Sequence, residues 1–158
     1  MMRLVVFSDS HGDVASLRMA IENEHSCDAI IFLGDGLNDF EYCKKHIYDK
    51  IMIAVKGNCD SYFLDYSKSQ TLPLGGKIVY CTHGDLEKVK FGPEMLRGKA
   101  EASDFDIVLF GHTHKAIYEY CNGIHYLNPG SVRENSYGII DIEENGIMCF
   151  HKKIVSSY

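Results

Sequence analysis

Three short apolar runs, RLVVFS at 3–8, AIIFL at 29–33 and IMIAV at 51–55, are rich in β-branched and aromatic residues, and each stops at a polar motif. Between them the apolar residues recur at three and four positions. A chain that opens in this βαβαβ pattern has few options beyond a buried parallel sheet with helices against it. Asp13 is placed to cap a first helix whose Leu17, Ala20, Ile21 and Glu24 share a face, leaving Arg18 and Glu22 outward. A second helix is predicted near Asp39 to Tyr48, with Phe40, Cys43 and Ile47 inward, and a third from Pro93 to Ala102. From Ser69 the pattern changes. QTLPLGGKIVYCTH reads as two strands joined through Gly75 and Gly76, and DIVLFGHTH as one more buried strand. The last third reads as hairpins, with Asn122-Gly123 and Asn145-Gly146 as type I′ turn dipeptides. A chain that begins as α/β and closes as antiparallel β predicts two sheets packed face to face with helices outside.

At 158 residues, without a linker or internal repeat, residues 1–158 are expected to form one domain. A formal charge of −6 provides no basic stripe for a phosphate backbone, so stable nucleic-acid binding is not expected. The apolar run at Leu4 to Phe7 is too short for a signal peptide or a membrane span. Six scattered cysteines without a CxxC pair suit reduced thiols and a cytoplasmic setting.

The polar motifs carry the chemistry. FSDSHGD follows the first strand, LGDG the second, KGNCD the third, CTHGD the later hairpin strand and FGHTH the next. Open α/β sheets place their ligands at these carboxyl ends. A single HxH pair or Asp-Gly is weak evidence, because each usually marks a surface pair or a turn. Five strand ends, taken as one edge of one sheet, that finish in Asp9 and His11, Asp35, Asn58, His83, and His112 with His114 are another matter. Seven such ligands exceed one ion and suit two divalent metal ions. Two-metal hydrolytic sites hold their ions about 3.5–4 Å apart and need a bridging carboxylate, for which Asp35 in the central motif is the candidate. Imidazole, carboxylate and amide oxygen without thiolate favour Mn²⁺ first, with Ni²⁺, Fe²⁺, Co²⁺ or Zn²⁺ as alternatives. The glycines beside the ligands (Gly12, Gly34, Gly57, Gly84, Gly111) are expected to let the backbone turn sharply.

Taken in order, DSH, GD, GNCD, THGD and GHTH, closed by LNPGS at 127–131, resemble the calcineurin-like metallophosphoesterases, in particular their small single-domain phosphodiesterases. The resemblance spans nearly the whole chain. It implies a four-layer αββα sandwich with two mixed sheets. It also implies that Asp9, His11, Asp35 and His114 hold one metal and that Asp35, Asn58, His83 and His112 hold the other, a hydroxide shared by the ions attacking phosphorus. Larger members have histidine at the position of Cys59, proposed to protonate the leaving group. Here a thiol would have to do so, and packing beneath the loop is an equal reading. Asp85 stands where a second histidine is frequent, Arg133 follows the closing motif as a solvated loop residue or a phosphate fork, and Asp60 is expected to support a ligating histidine. His25, His46, His125 and His151 lie outside every motif.

The function so implied is a metal-dependent phosphodiesterase acting on a small-molecule phosphoester, and the resemblance implies a homodimer or larger homo-oligomer. The alternatives are a phosphomonoesterase or nucleotide phosphatase, and a non-catalytic interaction scaffold of the same fold, which retention of all seven ligands argues against.

Overall fold

The computed structural model describes residues 1–155 and builds two five-stranded sheets. The first holds β1 (Met2–Phe7), β2 (Ala29–Phe32), β3 (Ile51–Ala54), β9 (Ser136–Glu143) and β10 (Gly146–Lys153), in the order β10-β9-β1-β2-β3. β1, β2 and β3 run parallel, and β9 and β10 join as an antiparallel hairpin. The second holds β4 (Ser69–Leu74), β5 (Lys77–Thr82), β6 (Ile107–Leu109), β7 (Ala116–Cys121) and β8 (Ile124–Pro129), in the order β4-β5-β6-β8-β7. Its central β5, β6 and β8 are parallel, with β4 and β7 antiparallel at the edges.

Strand periodicity sorts the side chains into three cores. Leu4, Val6, Ile31 and Ile53 of the first sheet meet Val79, Cys81, Ile107 and Leu127 of the second, forming a dry inter-sheet layer. The opposite face, with Val5, Phe7, Ile30 and Phe32, packs on α1 (Val14–Asn23) and α2 (Leu37–Lys44). Tyr80, Val108 and Tyr126 on the outer face of the second sheet receive Leu96 and Ala100 of α3 (Glu94–Glu101). The result is the αββα sandwich with two mixed sheets that the sequence led us to expect.

Local differences have local causes. Asp13 caps α1 as expected, accepting the Ser16 N–H at 3.1 Å, while Arg18 and Glu22 pair on the outer face. α2 starts at Leu37 rather than Asp39, because Asp60 from another loop accepts the N–H groups of Gly36 and Leu37 at 2.9 Å. It stops at Lys44, where His46 and Ile47 bond back three residues in tight turns. The Asn122-Gly123 pair forms the two-residue turn with both φ positive. Asn145-Gly146 does not. The register pairs Gly146 with Glu143, so the turn is Glu144-Asn145 and Gly146 already belongs to β10. No helix among the described residues is long and apolar enough to cross a membrane.

Candidate metal centre

The five motif-bearing strands do not share a sheet. β1, β2 and β3 lie in one and β5 and β6 in the other, so the candidate residues come from two sheet edges that face each other. This corrects the single-edge expectation. Stacking two sheets face to face brings their carboxyl-terminal loops together over the inter-sheet core.

Two groups of donor atoms form there. Asp9, His11 and His114 make the first: His11 Nε2 and His114 Nε2 are 3.2 Å apart, and Asp9 Oδ1 lies 3.1 Å from His114 Nε2 and 3.5 Å from His11 Nε2. In the second, His83 Nε2 is 3.1 Å from Asn58 Oδ1, 3.2 Å from His112 Nδ1 and 3.2 Å from Asp35 Oδ2. The same Asp35 Oδ2 is 3.9 Å from His11 Nε2, so one oxygen stands between the groups. All seven candidates converge. Cys59 joins them at the rim, its Sγ within 4.8 Å of donor atoms of His11 and Asp35.

Each donor is aimed by what its other atoms touch. His83 Nδ1 lies 2.6 Å from the Leu33 carbonyl, which can only accept, so Nδ1 carries the proton and Nε2 is the ring nitrogen turned to Asn58, Asp35 and His112. Asp9 Oδ2 takes the Ser8 hydroxyl at 2.6 Å and the His112 N–H at 3.1 Å, leaving Oδ1 for the histidines. Asp35 Oδ1 takes the Cys59 N–H at 2.8 Å, leaving Oδ2 as the shared oxygen.

The electrostatics are those of a site built for positive charge. Burial pushes the Asp35 carboxyl up, but His83 and the Cys59 N–H outweigh it and hold its pKa below the ordinary carboxylate range. Burial opposes charge on His83 as well, yet Asp35 and Asp9 raise its pKa. His112 is lowered, first by burial and then by His83 and Lys90. The Cys59 thiol is raised by burial and by the Asp35 carboxylate.

Backbone strain marks the same residues. Asp9, His11, Asp35, His112 and His114 have φ between 45° and 68°, the left-handed region that non-glycine residues rarely enter. Each such residue costs about 1–3 kcal/mol, and strain of this kind gathers at functional sites. The expectation that neighbouring glycines would supply the sharp turns therefore holds only in part. Gly57 and Gly111 lack positive φ and are needed for space: a Cβ on Gly57 would lie 2.5 Å from Asp35 N, and one on Gly111 would lie 2.1 Å from Ser8 Oγ.

Supporting residues were partly missed in the sequence. Asp60 does not support a histidine; its carboxylate accepts four backbone N–H groups, from Asp35, Gly36, Leu37 and Gly57. Asp39, read only as a helix residue, accepts the Ser10 hydroxyl and the Gly12 N–H. The LNPGS segment, quoted above without a role, supplies Asn128, which donates to Gly111 O and Thr113 Oγ1, and Ser131, which donates to Asp9 O. Asp85 pairs with Lys68 at the rim, and Arg133 is exposed. His25, His46, His125 and His151 stand outside the two groups, as expected.

A two-sheet sandwich with seven oxygen and imidazole donors at its facing edges defines a class of metal-dependent hydrolase folds. Residues 2–145 match the family described as the calcineurin-like phosphoesterase superfamily domain, and the chain belongs to that family. It is similar to the probable metallophosphoesterase YsnB of Bacillus subtilis, with 32% identity over 91% of this chain and 86% of that protein. Phosphodiesterase YfcE of Escherichia coli is 30% identical over 89% of this chain and 88% of its own length. The crystal structure of a predicted phosphoesterase from Streptococcus pneumoniae superposes with a TM-score of 0.79 at 26% identity, covering 96% of this chain and 89% of that one.

Proposed function

We propose that the protein is a phosphodiesterase working with two divalent cations, one held by Asp9, His11, Asp35 and His114 and the other by Asp35, Asn58, His83 and His112. The observation that carries this reading is the convergence of oxygen and imidazole atoms at His83 Nε2. With its other nitrogen committed to Leu33 O, it points at Asn58 Oδ1 and Asp35 Oδ2, both acceptors. Acceptors gather at a buried point only where positive charge, a bound cation or a proton on the imidazole, stands between them. Ligand atoms sharing one cation at about 2.1 Å each are roughly 3–3.5 Å apart. The separations of 3.1–3.5 Å within the Asp9, His11 and His114 group and of 3.1–3.2 Å around His83 fit that requirement. The donor chemistry, without thiolate among the seven, favours Mn²⁺ first and then Ni²⁺, Fe²⁺, Co²⁺ or Zn²⁺.

Two such cations supply Lewis-acid charge to the phosphoryl oxygens and bring a water's pKa down toward neutrality, which makes it a nucleophile for phosphorus. The chain's own residues do the rest. Asp35 offers its shared oxygen to both groups, keeping them in register. Asn58 Oδ1 stands in the group around His83, and His11 Nε2 in the group around Asp9. Cys59, with its thiol raised and hence protonated at neutral pH, is placed to give a proton to the departing alkoxide. The unpaired state of all six cysteines supports a reduced, cytoplasmic setting for this chemistry.

Metal content of the purified chain and hydrolysis of bis(4-nitrophenyl) phosphate and 4-nitrophenyl phosphate with each first-row cation test the proposal. We expect about two ions per chain, diester turnover above monoester turnover, and loss of both binding and turnover in Asp35→Asn. A folded wild type that binds no ion and hydrolyses neither ester sinks the enzyme reading and leaves the scaffold.

A further inference from the structure

Beside the metal centre, on the far side of Thr113, a cleft runs between α3 and the outer face of the second sheet. Its apolar end, partly open to solvent, offers about 180 Å³ lined by Val89, Leu96, Phe110, Ile117 and Tyr126 among others. The open end is shaped by Lys90, Phe91, Thr113 and Lys115. Thr113 lines both parts, and its neighbours in the chain are His112 and His114, so cleft and centre share one loop. The Arg97–Glu119 ion pair closes the other end, from α3 to β7.

We propose that this cleft holds the non-leaving ester group of the substrate, and that this group is a single aromatic ring or an aliphatic group of the same size. The inference rests on the phosphodiesterase reading and extends it to a substrate class. Size fits a group of this kind, because a cavity of roughly 150 Å³ lined by aliphatic and aromatic side chains accommodates benzene, and the apolar end offers about 180 Å³ before the cleft opens to solvent. Charge is the second ground. The polar depression at the centre itself adds Asp39 and Asp60 to the proposed ligands His11 and Asp35, whereas Lys90 and Lys115 are exposed cations at the mouth of the cleft. An anionic phosphodiester is drawn to the lysine side, where a ring attached to it meets apolar walls and the exposed Phe91. Besides the already paired Arg97 and Glu119, only the hydroxyls of Thr113 and Tyr126 offer hydrogen bonds in the apolar end, few for a second sugar or a polar headgroup.

The test uses two diesters with the same leaving group, phenyl 4-nitrophenyl phosphate and methyl 4-nitrophenyl phosphate, on the metal-loaded chain. We expect kcat/KM at least about tenfold higher for the phenyl ester. Ile117→Trp, a substitution at a partly exposed edge-strand position that fills the cleft, brings the ratio toward one, whereas Met148→Trp on exposed β10 leaves it in place. Equal rates for the two esters in the wild type overturn the inference while the enzyme reading stands. A binding arm keeps the two readings separate: phenylphosphonate is titrated against methylphosphonate while the methyl signals of Val89, Leu96 and Ile117 are followed by NMR. Shifts with the phenyl compound alone support the cleft even if no ester is hydrolysed. No shift overturns it, as does a concentration-dependent shift of these methyls without ligand, which would assign the cleft to a second copy of the chain.

Discussion

Asp60 Oδ2 accepts the backbone N–H of Asp35 at 2.8 Å, so the residue that ends the β3 motif holds in place the loop that ends β2. The same carboxylate takes the N–H groups of Gly36, Leu37 and Gly57, all at 2.8–2.9 Å. Removing it leaves four backbone donors without their acceptor. Hydrogen bonds to a charged group contribute about 1.5–3 kcal/mol each, though not additively. Asp60→Ala should cost the metal-free chain at least about 2 kcal/mol, seen as a fall in Tm of roughly 5 °C or more by calorimetry. An unchanged Tm would remove Asp60 from the supports of the centre.

Gly57→Ala should act through space rather than through conformational freedom. A Cβ there lies 2.1 Å from Asp35 Oδ1 and 2.5 Å from Asp35 N, and backbone on that side cannot yield as a flexible side chain would. Overpacking of this kind costs about 1–3 kcal/mol. Metal affinity should fall together with stability, because the displaced atoms include the shared carboxylate. Isothermal titration with Mn²⁺ alongside denaturant unfolding reads both, and normal metal affinity in a destabilised variant would separate the loop from the centre.

Asn128→Ala tests the support of the histidine loop. The buried side chain donates to Gly111 O and Thr113 Oγ1 at 2.9 Å and accepts the Gly130 N–H at 3.0 Å. Without it His112 and His114 lose the anchor of the loop that carries them, and metal affinity should drop about 10–100-fold, as with other outer supports of metal ligands. Stability should fall by about 1–3 kcal/mol. Retained affinity in a titration would assign Asn128 to folding alone.

The cysteines should separate by reactivity. Burial pushes Cys43 up to about 11 and Cys81 up to about 12, so near pH 8 neither offers appreciable thiolate nor access. Cys59 is exposed, although its own raised pKa slows it. Iodoacetamide followed by peptide mass mapping should find Cys59 modified in the native chain and Cys43 and Cys81 only after unfolding. Adding Mn²⁺ should slow labelling at Cys59 by shielding the rim. Equal labelling with and without metal would place the thiol outside the centre.

The architecture was legible because burial leaves a pattern. Residues such as Val5 and Val6 alternate between two cores, and the runs of β1, β2 and β3 are apolar on both faces. The candidate donors were legible because oxygen and imidazole donors recur after strands. What local pattern could not reveal is long-range contact. Asp60 starts α2 from a separate loop, Ser131 bonds the carbonyl of Asp9, and Asn128 bonds the loop of Thr113. These are small polar residues, common in ordinary turns, whose partners are decided only when the sheets stack. The left-handed φ of Asp9 or His114 likewise leaves no mark in the local pattern.

Because the donors come from facing edges of two sheets, no subset of the chain assembles the centre alone. Asp9, His11, Asp35 and Asn58 are synthesised with the first sheet's parallel strands, but His83, His112 and His114 arrive with the second. The Asp9 loop is anchored by Ser131, further along still. A growing chain therefore carries scattered single donors, each weak for any cation, until most of its length has been made and the sheets have closed on each other. With the proposed cations, metal capture would be deferred to the end of folding, and bound ions would then act as a latch across the sandwich, resisting any slide of one sheet over the other.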